Sequence, residues 1–349
     1  MISVLIVDDS PTIIQYLNAL VEDEPELMVI GTAVNGLEAV DQVKRLKPDV
    51  VIMDIEMPEL DGIAATQRIM AENPVPIVIC SANLDHGVAE KTYRAIEAGA
   101  LAAVAKPKGI GASGAQEMIK SLLHKVKLMA AVKVVRRPFA SPSASLGQPK
   151  VSEIQSPIFQ ELKNSSPKLV AIGASTGGPM VLMSLLAKLS PSFPLPILIV
   201  QHISQGFLEG MLSWMQGQAA LPLSIAVHDE KPLCGHVYFA PDGCHLELSS
   251  AGRLCLTDAP SEYNVKPAVA SLFRSLAQPA APLSLGILLT GMGRDGALEL
   301  LAMRKRGHLT IAQDEESSIV NGMPGEAARL GAVQARMNPE AIGELLNLL

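Results

Sequence analysis

Five polar residues follow successive apolar segments in the first third of the chain, and their types could support phosphoryl transfer. They are Asp8 and Asp9 after ISVLIV, Asp54 after DVVIM, Ser81 after PIVIC and Lys106 after AAVA. Because the carboxyl ends of parallel strands line one crevice, we expect these side chains to converge. Three carboxylates at one place repel one another unless they share a cation, and oxygen ligands favour a hard ion such as Mg²⁺. The pattern therefore predicts a carboxylate phosphoacceptor beside a magnesium site.

Each of these residues taken alone has a simpler interpretation. A single Asp after a strand often caps a helix or lies in a solvated loop, and DDSPT is a good helix start with Ser10 as N-cap and Pro11 at the first helical position. Five such residues at consecutive strand ends are improbable by chance, which favours a functional site.

A second candidate site lies at Gly173–Pro179, where GASTGGP follows the apolar segment LVAI. A phosphate-binding loop is disfavoured, because neither G-K-[ST] nor G-x-G-x-x-G is present. A plain helix start is believable, with Ser175 or Thr176 as the N-cap. A nucleophile turn also fits, since G-x-S-x-G between strand and helix exposes a serine hydroxyl beside helix amide groups that could stabilise an oxyanion.

A serine nucleophile needs a base and an acid that orients the base. His202 ends the apolar segment PILIVQ directly after the predicted nucleophile helix, so its position favours it over the other histidines. The competing histidines are His228, His236, His245 and His308. Three aspartates follow predicted strands, and pattern alone does not choose among them: Asp229, Asp295 and Asp314. Asp295 lies among glycines in TGMGRDGA, which allow the backbone to approach a site closely.

Cysteine and histidine residues between positions 234 and 255 raise the alternative of a zinc site. The spacings of Cys234, His236, Cys244, His245 and Cys255 match no C-x₂₋₄-C pattern, and two of these residues lie in predicted strands. Zinc is therefore disfavoured. The four cysteines also lack a disulfide framework, which suits a reducing cytoplasm.

The elements that position these residues alternate between apolar runs and amphipathic helical patterns in both halves of the chain. This alternation predicts an α/β fold with two domains, each built on a mainly parallel, doubly wound sheet. In the second half, HLELSS and GRLCLTD predict a β-hairpin. The periodicity disappears in a Pro- and Ser-rich stretch, so we expect a first domain at 1–127, a linker at 128–167 and a second domain at 168–349.

Bulk properties exclude several classes of function. The net charge of −7 argues against a nucleic-acid partner, which would require a concentrated basic face. The chain opens on a predicted strand rather than a secretory signal, and no apolar run reaches the roughly 20 residues needed to span a bilayer. We therefore expect a cytoplasmic protein without membrane insertion, and nothing in the sequence demands more than a monomer.

The first domain resembles the receiver domain of response regulators over its whole length. The resemblance rests on the pair Asp8-Asp9, on Asp54 within MDIEMPELDG, on Ser81 and on Lys106 within KP. It implies a flavodoxin-like, five-stranded parallel fold with Asp54 as the phosphoacceptor and Ser81 and Lys106 as switch residues. Mg²⁺ would be held by the acidic pair, Asp54 and the backbone carbonyl of Glu56. The usual aromatic switch residue, three positions before the lysine, is replaced by Ala103.

The second domain is similar throughout to the catalytic domain of the chemotaxis protein-glutamate methylesterase and glutamine deamidase family (CheB family). Six stretches carry the resemblance in the family's order: IGASTGGP, VQHI, VYFAPDG, ASLFRSLA, ILLTGMGRDGA and TIAQDEESSIVNGMP. The resemblance implies that Ser175 is the nucleophile, His202 the general base and acid, and Asp295 the orienting carboxylate. The backbone N–H of Met292 would help to form the oxyanion hole.

The combined resemblances imply a phosphorylation-activated hydrolase that demethylates or deamidates methyl-accepting chemoreceptors, with a chemotaxis histidine kinase as phosphodonor. No cofactor is expected for the esterase itself. One alternative is a response regulator with a DNA-binding output, which the missing basic patch disfavours. Another is a scaffolding protein whose hydrolase domain is inactive, which the three occupied triad positions disfavour. A third keeps the chemistry and places the target receptor in a pathway that controls something other than swimming.

Overall fold

The computed structural model describes residues 1–81, 86–107, 109, 114–132, 134, 161 and 165–349, without the side chains of residues 86–89. The chain divides into two compact units, Met1–Ala144 and Ser145–Leu349. Most of the predicted linker at 128–167 lies outside the described residues, and the last helix of the first unit continues to Ala130. Within the described part of the chain, no helix combines the length and the apolar character needed to cross a membrane.

The first unit is a five-stranded parallel sheet with helices between the strands, as predicted. Its strands are β1 (Ile2–Val7), β2 (Leu27–Ala33), β3 (Val50–Met53), β4 (Ile77–Ser81) and β5 (Ala102–Ala105). Its helices are α1 (Pro11–Glu22), α2 (Gly36–Leu46), α3 (Gly62–Glu72), α4 (His86–Glu97) and α5 (Ala115–Ala130). The strand order is β2-β1-β3-β4-β5, so the chain winds outward from β1 in both directions. The continuous apolar runs of β3 and β4 are fully buried, as both faces of a helix-covered parallel sheet require.

Side-chain caps fix the starts of two helices in this unit. Asn35 accepts a hydrogen bond from Glu38 N before α2, and Asp61 accepts one from Ala64 N before α3. Ser10 occupies the predicted N-cap position of α1, with Pro following it, but its hydroxyl makes no capping hydrogen bond among the described contacts. Instead, the backbone N–H of Ser10 donates to Oδ1 of Asp8 at 3.0 Å, which ties the start of α1 to the acidic pair.

The second unit contains a seven-stranded sheet and a separate hairpin. The sheet strands are β6 (Leu169–Ala174), β7 (Ile197–Gln201), β8 (Leu223–Ile225), β9 (Val237–Phe239), β12 (Ser284–Leu288), β13 (Leu309–Gln313) and β14 (Ala335–Met337). All neighbouring strands are parallel, in the order β14-β13-β12-β6-β7-β9-β8. The helices are α6 (Gly178–Lys188), α7 (Leu208–Gln216), α8 (Val269–Leu276), α9 (Ala297–Lys305), α10 (Met323–Arg329) and α11 (Pro339–Leu346).

The predicted hairpin is present as the antiparallel pair β10 (His245–Leu248) and β11 (Leu254–Thr257). Its turn is closed by backbone hydrogen bonds from Ser249 N to Arg253 O and from Gly252 N to Ser249 O. Leu246 and Leu254 on the hairpin belong to the same buried cluster as residues of α8 and the sheet, so the hairpin covers one face of the unit. The packing leaves β12, β6 and β7 at the centre of the sheet, where their carboxyl ends can share one site.

Candidate active site and phosphoacceptor site

The predicted phosphoacceptor lies in a buried, charged pocket at the carboxyl end of the first sheet. The Lys106 ammonium contacts Oδ2 of Asp8 at 2.6 Å and Oδ2 of Asp54 at 2.9 Å. Asp8 is 1% exposed and Asp54 is 6% exposed, so these contacts are shielded from solvent. Burial raises the pKa of the Asp54 carboxyl above its ordinary value, against the opposing effect of Lys106. For Lys106, burial disfavours the charged form, but the hydrogen bonds to Asp8 and Asp54 outweigh it and raise its pKa.

The acidic residues of this pocket fit a magnesium ion. Ligand atoms of Asp8, Asp9 and Asp54 lie within 4.8 Å of one another, and all are carboxylate oxygens, which suit a hard cation. Asp9 is exposed and supplies an opening to solvent, whereas its two partners are buried. The side chain of Glu56 points elsewhere, since its Oε1 pairs with Lys91 Nζ at 2.6 Å. The magnesium ligand expected from Glu56 is its backbone carbonyl, and this side-chain contact does not involve that carbonyl.

The two predicted switch residues lie at adjacent strand ends. Ser81 is buried at the end of β4, and its carbonyl accepts a hydrogen bond from Lys106 N at 2.7 Å. At the position of the usual aromatic switch, the carbonyl of Ala103 accepts a hydrogen bond from Lys125 Nζ at 3.0 Å. Sequence reasoning did not single out Gly62, yet a Cβ there would lie 2.0 Å from Asp54 O. Only glycine lets the start of α3 pass this close to Asp54.

In the second unit the structure brings the predicted base and acid into direct contact. His202 follows β7 and Asp295 follows β12, and Nε2 of His202 lies 2.8 Å from Oδ2 of Asp295. The start of α8 holds the same carboxylate: Val269 N donates to Oδ2 at 2.7 Å and Ala270 N to Oδ1 at 2.9 Å. Asp295 is only 3% exposed, and the helix N-terminus offers it positive potential as well as donors. A carboxylate held in this way fixes both the orientation and the tautomer of the imidazole.

Ser175 follows β6, between the strands that carry the base and the acid. The turn is held by its backbone: Ser175 N donates to Thr290 O at 3.0 Å, and Gly178 N donates to Ser175 O at 2.8 Å. His202 N donates to Ala174 O at 2.9 Å, which joins the base to the residue before the serine. Among the described contacts the Ser175 hydroxyl makes no hydrogen bond to His202, a looseness common before substrate binds.

The rival histidines have structural partners. His245 is fully buried, with Nδ1 accepting from Ala268 N and Nε2 3.0 Å from Pro260 O. His308 accepts from Ser284 N, and His228 accepts from Leu256 N. His236 stacks on Tyr238 with ring centroids 5.4 Å apart. None of these contacts involves Ser175 or Asp295.

The rival aspartates are also occupied elsewhere. Asp314 accepts hydrogen bonds from the backbone and hydroxyl of Ser317. Asp229 lies 3.7 Å from Arg253. The sequence pattern did not distinguish Asp295 from these two aspartates. In the structure, its contact with His202 does.

The predicted oxyanion donor lies in the loop after β12, next to the serine. Met292 is 38% exposed, and its backbone N–H donates to no acceptor among the described hydrogen bonds. The preceding Gly291 lies so close to Ser175 that a Cβ on the glycine would be 2.7 Å from Ser175 Cβ. Gly291 is held by hydrogen bonds from Gly322 N and Met323 N to its carbonyl. The loop therefore presents an unused amide beside the serine on a backbone that is firmly anchored.

Two family profiles match the chain, one for each unit. The CheB methylesterase profile matches residues 170–346, and the response regulator receiver domain profile matches residues 4–112. The first match alone spans half of the sequence. The chain belongs to the CheB methylesterase family.

Full-length CheB relatives align along both units. A protein-glutamate methylesterase/protein-glutamine glutaminase of Geobacter metallireducens is 46% identical over 351 residues, covering 100% of this chain and 99% of the relative. Another from Syntrophus aciditrophicus is 43% identical over 346 residues, covering 99% and 97%. The solved catalytic domain of Thermotoga maritima CheB methylesterase is 32% identical, with a TM-score of 0.50, and covers 53% of this chain and 100% of that chain.

Two buried residues that support the Ser175 turn were not identified from the sequence. Thr290, fully buried after β12, donates its hydroxyl to Thr176 O and accepts at the same oxygen from Val320 N. Gln201, the last residue of β7, donates from Nε2 to two carbonyls at the turn. The available signal was weak: a polar residue at the end of an otherwise apolar strand, directly before a candidate base.

Proposed function

We propose that this chain is a phosphorylation-activated hydrolase that removes methyl groups from glutamate γ-methyl esters of chemoreceptors and deamidates receptor glutamines. The observation that carries the proposal is the His202–Asp295 contact at 2.8 Å beside the Ser175 turn. The substrate class follows the printed names of the full-length relatives, which are protein-glutamate methylesterase/protein-glutamine glutaminases. Both reactions replace a leaving group on the same γ-carbonyl, so one nucleophile can serve both.

In the first chemical step, Ser175 Oγ attacks the γ-carbonyl carbon of the substrate. Because His202 donates Nε2–H to Asp295, Nδ1 is the ring nitrogen left with a lone pair to take the serine proton. The carbonyl oxygen becomes an oxyanion, for which Met292 N–H supplies a donor and the N-terminus of α6 supplies positive potential. The imidazolium that forms is stabilised by the Asp295 carboxylate, which two backbone N–H groups at the start of α8 hold in place.

In the second step, the tetrahedral intermediate collapses and His202 gives its proton to the leaving group. Methanol leaves from an ester and ammonia from an amide, and Ser175 is left as a glutamyl ester. His202 then takes a proton from water, which attacks this ester and releases glutamate with the serine restored. The proposed triad thus uses one base twice, with Asp295 fixed throughout.

Control is proposed to start at Asp54 in the receiver unit, with a chemotaxis histidine kinase as phosphodonor. Asp8, Asp9, Asp54 and the carbonyl of Glu56 would hold Mg²⁺, which supplies charge neutralisation for the incoming phosphoryl group. Lys106 already contacts Asp54 and offers a second positive charge to the phosphoryl oxygens. Phosphorylation adds close to two negative charges at neutral pH, which is enough to alter how Lys106 and Ser81 are held.

The test is methanol release from methylated receptor membranes, with and without a small-molecule phosphodonor and Mg²⁺. We expect release that rises on phosphorylation in the wild type, a basal rate without the rise in Asp54→Asn, and almost none in Ser175→Ala. Ser175→Ala should still be phosphorylated at Asp54, which would show that its receiver unit is intact. Substantial methanol release by Ser175→Ala would contradict the triad, and release by Asp54→Asn that still rises with phosphodonor would contradict the phosphoacceptor.

A further inference from the structure

Gln201 connects the backbone of the proposed nucleophile to the backbone of the proposed base. It is the last residue of β7 and is 4% exposed. Its Nε2 donates to Ser175 O at 2.9 Å and to His202 O at 2.8 Å. Each hydrogen of the amide nitrogen therefore donates to one carbonyl, that of Ser175 or that of His202. These are the two residues between which a proton passes in the proposed mechanism.

The other end of the same side chain indicates that Gln201 is retained for this connection rather than for general stability. Its Oε1 is buried without a hydrogen-bond partner in the described part of the chain. It packs against Gly178, where a Cβ would lie 2.0 Å from it. A buried, unpaired amide oxygen is costly, so an apolar side chain would be favoured here if filling the core were the only requirement.

A comparison within the same sheet supports this interpretation. Gln313 is the last residue of β13 and is also fully buried. Its Nε2 donates to Ser317, and its Oε1 accepts from Thr290 N at 2.8 Å, so both ends of that amide are paired. Among the described residues, the amide of Gln201 is paired only with the carbonyls of Ser175 and His202.

We infer that Gln201 is a positioning residue for hydrolysis, which holds the nucleophile turn and the base at the separation that proton transfer requires. The inference rests on the proposed Ser175–His202–Asp295 triad. Rates of such reactions are sensitive to placement, and a shift of about 1 Å at the reacting groups can cost about 100-fold. The serine and the base belong to different strands, so a side chain that fixes both carbonyls limits relative movement of the two strand ends.

The experiment compares Gln201→Met with Gln216→Met in the full-length, phosphorylated protein. Gln216 is a matched control, because its side chain also joins two backbone groups, Leu221 O and Leu223 N, but contacts no triad residue. We expect Gln201→Met to lower kcat by roughly 10- to 100-fold with KM changed less than about twofold. Phosphonylation of Ser175 by a small serine-directed phosphonate should slow in parallel. Gln216→Met should match the wild type in both assays.

A second variant, Gln201→Glu, tests the need for a donor and keeps the inference testable if the Met variant folds poorly. A carboxylate of the same size would face two carbonyl oxygens, to which it cannot donate until it is protonated. We expect the ratio of its kcat to that of the wild type to rise as the pH is lowered from about 8 to about 6, because a buried carboxyl has a raised pKa. All rates are taken per phosphonate-titrated serine, so that unfolded protein does not contribute.

The outcomes separate this inference from the proposed triad. Wild-type kcat in Gln201→Met, or full activity of Gln201→Glu at the upper pH, overturns the positioning role and leaves the triad intact. Turnover by Ser175→Ala overturns the triad itself, and the positioning role with it. A fall in kcat confined to the Gln201 variants, with Ser175→Ala inactive, supports both.

Discussion

The ammonium of Lys106 lies 2.9 Å from Oδ2 of Asp54, so the proposed phosphoacceptor is paired with a cation before any phosphoryl group arrives. The same ammonium contacts Asp8 at 2.6 Å. With Asp9, the pocket holds three carboxylates and one ammonium. When all are ionised, the excess is two negative charges, the charge that one Mg²⁺ neutralises. Lys106 and the metal would thus together neutralise the three carboxylates.

Replacing Lys106 with methionine should destabilise the receiver unit in the absence of Mg²⁺. The Lys106, Asp8 and Asp54 side chains are 10%, 1% and 8% exposed, so two nearly buried carboxylates would lose their partner. Removing one member of a buried ion pair costs about 3–5 kcal/mol. The measurement is the free energy of unfolding of the receiver unit in chelator and in excess Mg²⁺, where the metal should recover part of the loss.

The matched control is Lys91→Met, whose partner Glu56 is exposed. Pairs of this kind contribute up to about 1 kcal/mol, so little change is expected. If Lys106→Met is no less stable than Lys91→Met in chelator, the two carboxylates of the pocket do not depend on the lysine for charge compensation.

Asp295→Asn should abolish most turnover while the fold survives. An asparagine oxygen can still accept from Ala270 N, but its NH2 group then replaces Oδ2 and faces Nε2 of His202. The imidazole loses the acceptor that fixes its tautomer. The corresponding change in a serine protease triad lowers kcat by about 10⁴-fold, and we expect a loss of that order. Methanol release per phosphonate-titrated serine measures it. Loss of a triad residue normally lowers the rate by several orders of magnitude. A rate within about tenfold of the wild type would therefore show that Asp295 is dispensable.

Gly291→Ala should inactivate the hydrolase through a steric contact. The new Cβ would lie 2.7 Å from Ser175 Cβ and 2.4 Å from Met323 Sδ, so the serine or the loop carrying Met292 must move. We expect kcat to fall by about 100-fold or more, with Asp54 phosphorylation unchanged. Gly217→Ala is the control, because its Cβ would meet only Trp214 O at 3.7 Å in helical backbone. Equal activity in the two variants would mean that the Gly291 approach has no role in catalysis.

The stability of the hydrolase unit should depend on pH through His308. This side chain is 5% exposed, and burial lowers its pKa below the ordinary 6.5. Above that value both the folded and the unfolded states carry a neutral ring. As the pH falls through it, the unfolded state takes up a proton first, so stability is lost toward acid. Denaturant unfolding of the wild type and His308→Asn, from about pH 7.5 to 5.5, should show a shallower decline in the variant. The same decline in unfolding free energy in both proteins would exclude His308 as a source of the pH dependence.

The parallel sheets could be predicted from the sequence, as could the positions of polar residues at several strand ends, because each depends on a local pattern. Asp54, Ser175 and His202 each lie close after an apolar run, and the end of such a run marks the end of a strand. This signal does not depend on where the strand lies in the sheet. Asp295 could be chosen over Asp229 and Asp314 only by resemblance or by structure, since its contact with His202 depends on strands distant in the sequence.

The contacts of Gln201 and Gly291 with Ser175 were unpredictable for the same reason. Gln201 reaches Ser175 O because β7 adjoins β6, and Gly291 approaches Ser175 Cβ because β12 adjoins β6 on the other side. Ser10 shows the opposite limit. The local rule gave the correct position for the start of α1, but the Ser10 hydroxyl makes no capping hydrogen bond among the described contacts.

The central position of β6 has a consequence for the linear order of the proposed catalytic residues. The unit begins at β6, adds β7 on one side, and later adds β12 on the other. A chain laid down from the middle outward meets the serine first, the histidine second and the aspartate last. The α/β-hydrolases place serine, acid and histidine in a different order on a differently wound sheet. The order of catalytic residues along such a chain thus reflects the order in which strands are added to the sheet. The chemistry depends only on which strand ends become neighbours.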